Sequence, residues 1–184
     1  MTEDEVVALG SAGWFVRDGV VVPDGVLAAL GPTDQWKSAG TSRHGRLDAA
    51  VRGDRHRWVD PEDVLFKPHF GVFEQLRGEL NTDAWLGLRR FELQVAFFPG
   101  GGTHYVRHRD ALAGTTERRI TAICYLNPAW VEADGGKLRL FVEPVQDIAP
   151  LLGRLVVFRS ALVEHEVLPA FAERYAATAW YYGA

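Results

Sequence analysis

From Arg90 onward the apolar residues recur at every second position, and this period limits the chain more than any other feature. Phe91, Leu93, Val95 and Phe97 alternate with Glu92, Gln94 and Ala96. A strand sends successive side chains to opposite faces, so this pattern predicts a strand rather than a helix. Residues 120–126, 137–142, 154–158 and 174–182 are further strand candidates. Turn signals separate them: Pro99-Gly-Gly-Gly102, Asn127-Pro128, Asp134-Gly-Gly136 and the stretch 150–153. Short strands divided by such turns predict a mainly β sandwich or barrel. The first ninety residues read differently. Thr2 to Glu5 is an S/T-x-x-E box that opens a short helix to about Leu9. Segments 14–16 and 20–22 look extended, and a helix is expected from Pro23-Asp24 to about Leu30. Segment 37–55 reads as a polar loop. Val64, Leu65, Phe70, Phe73, Leu76 and Leu80 have near-helical spacing, interrupted by Pro68. The expectation is one domain over 1–184, with helical and loop-rich support in 1–89 packed outside a barrel core in 90–184.

Composition removes several function classes. The chain has 184 residues, 47% apolar and 24% charged, with a net charge of -4. A dedicated nucleic-acid binder is normally basic, so that class is disfavoured. The single cysteine, Cys124, allows no intrachain disulfide and fits a reducing compartment. Met1-Thr-Glu-Asp-Glu5 is acidic and leads into no leader-type apolar core. The apolar runs are strand-sized, well short of the roughly 20 residues that a membrane helix needs. A cytoplasmic protein with no membrane partner is the expectation.

His108-Arg109-Asp110 carries the chemistry. In an extended segment residues i and i+2 point the same way, so His108 and Asp110 can serve one point while Arg109 turns away. One more histidine would complete the two-histidine, one-carboxylate facial triad of non-haem Fe(II) oxygenases, which leaves three positions open. His165, which follows strand 154–158 and the loop 159–164, is the candidate. Arg174 shares a strand face with Ala176, Thr178 and Trp180. A buried guanidinium there needs an anion, and a carboxylate suits it. The bland alternatives are a surface charge cluster for His-x-Asp and a surface ion pair of Arg174 with Glu166 or Glu173. His104 is four residues from His108, about 13 Å along a strand, and is set aside as a ligand. His44, His56 and His69 read as surface histidines, and Cys124 as packed and inert. The triple glycine precedes a strand-like segment, not a helix, so it is no phosphate loop.

The run Phe98-Pro-Gly-Gly-Gly-Thr-His-Tyr-Val-Arg-His-Arg-Asp110 resembles the metal segment of 2-oxoglutarate/Fe(II) oxygenases, and more narrowly that of hypoxia-inducible-factor prolyl hydroxylases and their bacterial relatives. Arg118 to Asn127 with Trp130, Gly135 to Leu140, His165 to Ala170 with Arg174 and Trp180, and Val51-Arg-Gly-Asp54 with Trp58 extend the resemblance. It implies a double-stranded β-helix, the jelly-roll or cupin-like barrel. His108, Asp110 and His165 would bind Fe(II). Arg174 would hold the far carboxylate of 2-oxoglutarate, helped by the Tyr125 hydroxyl, with Ile123, Leu138 and Thr178 lining that pocket. Asp54 and Arg118 would form a charged pair near the substrate entrance, with Tyr105 and Trp180 on the substrate side. O2 would be the second cosubstrate, ascorbate the reductant, and succinate and CO2 the coproducts.

Some features depart from the resemblance. Phe98 stands where those hydroxylases have a tyrosine, segment 37–51 is shorter than the animal substrate loop, and the chain runs only two residues past its last strand. Three functions follow from this reading. The first is hydroxylation of a prolyl residue in a peptide or protein. The second is hydroxylation of a free amino acid or small metabolite, and the third is a barrel that binds metal or 2-oxoglutarate without turnover. Retention of Asp110 argues against a halogenase.

Overall fold

The computed structural model describes residues 1–39, 50–60, 62–64, 66–111 and 118–183. Leu65, His44 and the middle of the expected 37–55 loop lie outside them. The elements are α1 (Glu3–Ser11), β1 (Trp14–Arg17), α2 (Val26–Leu30), β2 (Lys37–Ser38), β3 (Arg55–Val59), α3 (Lys67–Asp83), β4 (Leu88–Phe98), β5 (Thr103–His108), β6 (Arg118–Tyr125), β7 (Leu138–Leu140), β8 (Gln146–Ile148), β9 (Leu155–Arg159), β10 (His165–Ala170) and β11 (Arg174–Gly183). Two antiparallel sheets form, in the orders β1-β9-β6-β11-β4-β3-β2 and β5-β10-β7-β8. From β4 onward the chain alternates between them: β4, β6, β9 and β11 enter the larger sheet, and β5, β7, β8 and β10 the smaller. That winding is the expected double-stranded β-helix. β1, β2 and β3, from before residue 90, also join the larger sheet.

The central strands of the larger sheet are buried on both faces. Leu93, Val95, Ala122, Cys124, Leu155, Val157, Ala177 and Tyr181 face the helices, with Phe70, Phe73, Leu76 and Leu80 of α3 against them. The residues between them turn inward: Phe98, Ile123, Tyr125, Val156, Phe158 and Ala176 meet Leu138, Leu140, Ile148 and Val167 of the smaller sheet. Two buried faces explain why these strands carry long apolar runs and why the period-two signal was strongest in β4, where Glu92 remains partly exposed.

The local departures from expectation have physical reasons. The Thr2–Glu5 box caps α1, Thr2 Oγ1 accepting from Glu5 N at 3.2 Å and Glu5 Oε2 from Thr2 N at 2.8 Å. Pro68 does not interrupt a helix; α3 begins at Lys67, and a proline in the first turn gives up no intrahelical hydrogen bond. Residues 20–22 form no strand, because Val20 N already donates to Gly153 O at 2.9 Å and Pro23 follows. β3 reads Arg-His-Arg-Trp-Val, so its charges concealed it within the expected loop. β8 has 3 residues, too few to show a period. β10 was hidden by Pro169, which the strand accepts at a register shift between Val167 and Ala170. Among the described residues no helix is long and apolar enough to cross a membrane.

Leu76 is fully buried between α3 and the larger sheet. Leu76→Ala should lower unfolding stability by about 2–5 kcal/mol, measured by denaturant titration.

Candidate metal centre and anion pocket

His108 ends β5 and His165 begins β10, and antiparallel pairing sets the two residues directly opposite one another. Their ring centroids are 4.3 Å apart. Asp110 follows β5 by two residues, and its Oδ1 lies 3.6 Å from His108 Nε2 and 3.8 Å from His165 Nε2. The three candidate ligand atoms all lie within 4.8 Å of one another.

The tautomers follow from the backbone. His108 Nδ1 meets Val106 O at 2.8 Å, and His165 Nδ1 meets Val163 O at 3.3 Å. A carbonyl only accepts, so Nδ1 carries the proton in both rings and each Nε2 turns a lone pair toward Asp110. That is the arrangement histidine ligands adopt around a metal. Burial works against the charge on Asp110, yet the pull of His165 and His108 in their cationic forms, with the Trp180 indole N–H, outweighs it and holds the carboxyl below the usual carboxylate range. Burial pushes His165 down to about 4 against the pull of Asp110, so this ring is neutral near pH 7. A ready carboxylate with two imidazole nitrogens is the donor set that a divalent metal of the iron type takes.

Arg174 opens β11 and is 3% exposed. Its Nε donates to Gly136 O at 2.7 Å, and its guanidinium carbon lies 5.0 Å from the Phe98 ring and 5.1 Å from that of Tyr125. Gly136, at φ +68°, makes this approach possible, since a Cβ there would stand 2.8 Å from Arg174 Cδ. Among the described residues no carboxylate forms an ion pair with Arg174. The Tyr125 hydroxyl is buried and, among the described residues, has no hydrogen-bond partner within normal reach. Burial pushes its pKa up to about 12, so it stays protonated and can donate. A buried guanidinium beside a buried hydroxyl is a donor set chemically suited to a carboxylate.

One cavity of about 250 Å³ joins the two sites. His108, Asp110, His165, Arg174, Ile123, Leu138, Thr178, Asp54, Arg118, Trp180 and Tyr105 all line it. Tyr125 does not reach the cavity wall but lies behind it against Arg174. Asp54 and Arg118 are on the wall with separate partners. Arg52 grips both oxygens of Asp54 at 2.6 and 2.9 Å, while Arg118 donates to the Tyr182 hydroxyl at 2.9 Å and stands 3.9 Å from Glu92. Arg109 is exposed and turns to Glu164 at 3.6 Å, though it also touches the cavity rim. His104 stays apart, on the carbonyls of Gly102 and Ala50. His56 and His69 are half-buried rather than surface residues, each with a buried Nδ1 that has no hydrogen-bond partner among the described residues. Cys124 is buried on the helix side and its thiol is pushed up to about 12, so it is inert as expected.

Sequence reading gave no site role to Arg52, Gln94, Thr121 or Ser160. Arg52 also lies 4.6 Å from the Tyr105 ring, which stacks on His108 at 3.7 Å, and it reaches Gln94 Oε1 at 3.3 Å. Thr121 is two and four positions from Ile123 and Tyr125 on the inward face of β6, which was the available signal.

The family description "2OG-Fe(II) oxygenase superfamily" matches residues 93–182. Human Egl nine homolog 1 is 37% identical over 146 residues, covering 73% of this chain and 34% of that protein. The chain thus spans only about a third of the length of that relative. A crystal structure of a Pseudomonas putida prolyl-4-hydroxylase is 32% identical, with a TM-score of 0.83 and 98% of each chain covered. A Trichoplax adhaerens prolyl hydroxylase, solved with a hypoxia-inducible-factor peptide fragment, is 28% identical at a TM-score of 0.84, covering 97% of this chain and 87% of that one.

His165 sets a pH signature. A histidine in the unfolded chain titrates near about 6.5. Below that value and above about 4 the unfolded chain holds a proton that the folded protein excludes. Stability of the metal-free protein should therefore fall as pH drops from about 6.5 toward 4, by up to about 1.4 kcal/mol per unit. Urea unfolding at stepped pH should show this slope, and His165→Gln should flatten it.

Proposed function

The chain belongs to the 2OG-Fe(II) oxygenase superfamily, and from that premise we propose that it hydroxylates a prolyl residue within a peptide or protein. One observation carries the cosubstrate half of this reading: the His108–Asp110–His165 cluster and the buried Arg174 share one cavity. His108 and His165 would offer Nε2, and Asp110 a carboxylate oxygen, to Fe(II). Arg174 would hold the far carboxylate of 2-oxoglutarate, with the Tyr125 hydroxyl close behind it and Gly136 O orienting the guanidinium. Ile123, Leu138, Val167 and Ala176 give that end of the cavity an apolar wall that excludes water. When bound, Fe(II) with 2-oxoglutarate and O2 supplies the oxidising chemistry, and 2-oxoglutarate leaves as succinate and CO2.

The substrate half rests on the rim. Trp58 is 49% exposed and packs on Trp180 at 5.6 Å between centroids. It lines the metal cavity and also a neighbouring groove with Leu30, Pro32, Lys37, His56 and Arg57. A free amino acid would fill only the cavity, whereas a peptide can continue along that groove. Trp58, Trp180 and Tyr105 present flat rings suited to a pyrrolidine, and Arg118 and the Arg52–Asp54 pair can meet peptide amides and carbonyls. The named activities of the Pseudomonas and Trichoplax relatives support a prolyl target. The whole of 1–184 acts as one oxygenase domain in this reading. It works in the reducing cytoplasm, with ascorbate keeping the iron ferrous.

Anaerobic addition of Fe(II) and 2-oxoglutarate should produce a visible charge-transfer band. Arg174→Ala should weaken 2-oxoglutarate binding by roughly 2–5 kcal/mol, because a charge-assisted pair in a buried site is lost. For the substrate, proline-containing peptides and cell lysate should gain the mass of one oxygen with matching succinate release. Turnover of free proline with no labelled peptide would favour the small-molecule enzyme, and binding without succinate would favour a non-catalytic barrel.

A further inference from the structure

The two oxygens of Asp110 have different surroundings. Oδ1 faces the two histidine Nε2 atoms at 3.6 and 3.8 Å. Oδ2 accepts from Thr121 Oγ1 at 2.8 Å and from Trp180 Nε1 at 3.0 Å. A carboxylate oxygen has two in-plane lone pairs, and these donors occupy both. They come from a single cross-strand pair, Thr121 of β6 directly opposite Trp180 of β11, so the register of the larger sheet sets their positions.

The protons in this network run one way. A carboxylate that ligates a metal carries none, so the Thr121 hydroxyl donates to it. Thr121 has one hydroxyl hydrogen, so in its 2.9 Å contact with Ser160 it is Ser160 that donates. Thr121 and Ser160 are both 0% exposed, so no solvent competes for this chain of donors.

We propose that Thr121 and Trp180 are positioning residues that restrict Asp110 to ligation through Oδ1 alone. Single-oxygen ligation matters because a facial triad must leave three coordination positions free, two for the keto acid of 2-oxoglutarate and one for O2. Without the two donors, Oδ2 can swing onto the metal. The carboxylate then chelates through both oxygens and closes one of the three positions.

The test compares Thr121→Ser, Thr121→Val and Trp180→Phe with the wild type, without turnover. Mn(II) binding is read by the resonance of free Mn(II), 2-oxoglutarate binding by the anaerobic Fe(II) charge-transfer band, and folding by the melting temperature of the metal-free protein. Thr121→Ser keeps the hydroxyl and should behave as wild type. Thr121→Val and Trp180→Phe should still bind Mn(II), but 2-oxoglutarate affinity should fall roughly 10–100-fold and the band should weaken or shift. A mere packing role gives the reverse order, because valine fills the space of threonine while serine leaves a methyl gap. The proposal is overturned if valine is silent where serine is damaging. It is equally overturned if Trp180→Phe, melting as wild type does, keeps the wild-type affinity and band. If Thr121→Val does not fold, the Trp180→Phe and Thr121→Ser results decide. A wild-type protein with no band would sink the cosubstrate reading itself, which no variant result alone can do.

Discussion

The pairing of His165 with His108 across β10 and β5 is the contact on which the site depends. Antiparallel neighbours stand a fixed few ångströms apart, so one backbone register brings together two imidazoles 57 residues apart in sequence. Carbonyls of the same two chain segments, Val106 and Val163, then fix which nitrogen of each ring faces inward. Slipping the register by one residue would turn one imidazole to the opposite face of the sheet. The metal centre is therefore a property of the smaller sheet as much as of its side chains.

The second cost that the fold accepts is Arg174. A buried guanidinium with no carboxylate ion pair among the described residues is expensive, and burial lowers its affinity for the proton. The fold tolerates it with one backbone carbonyl, two aromatic faces and a glycine that leaves room for the stem. Phe98 is part of that cradle. Where the resembling hydroxylases have a tyrosine, this structure sets the Phe98 ring against the cation. Tyr125 supplies the hydroxyl from the opposite side.

Rigidity around these groups comes from the larger sheet, packed by helices on one face and by the smaller sheet on the other. The Tyr181 hydroxyl donates to Phe73 O at 2.8 Å, tying β11 to α3 directly behind Trp180. Strand β11 thus carries Arg174, Thr178 and Trp180 inward and Ala177, Ala179 and Tyr181 toward the helices. Cavity-facing and core-facing residues alternate along one strand.

Much of this was legible in the chain itself. Alternation marked β4, β6, β9 and β11 because their faces differ in chemistry or end in clear turns. His108-x-Asp110, His165 and Arg174 could be named because few other roles suit those residue types in that order. The Thr2–Glu5 box predicted α1 because a cap is a local interaction. Other features had no local signal. β3 and β10 are strands only because neighbours accept their backbone groups, which charges and Pro169 conceal. The pairing of Asp54 with Arg52, rather than with Arg118, depends on how β3 lies against β4. The two donors on Asp110 Oδ2 come from residues 59 positions apart that only sheet register sets side by side. Sequence determined which chemical groups were present and the period that forced them into strands. Tertiary structure decided which of them meet, because hydrogen-bond register and burial act between segments that the sequence keeps apart.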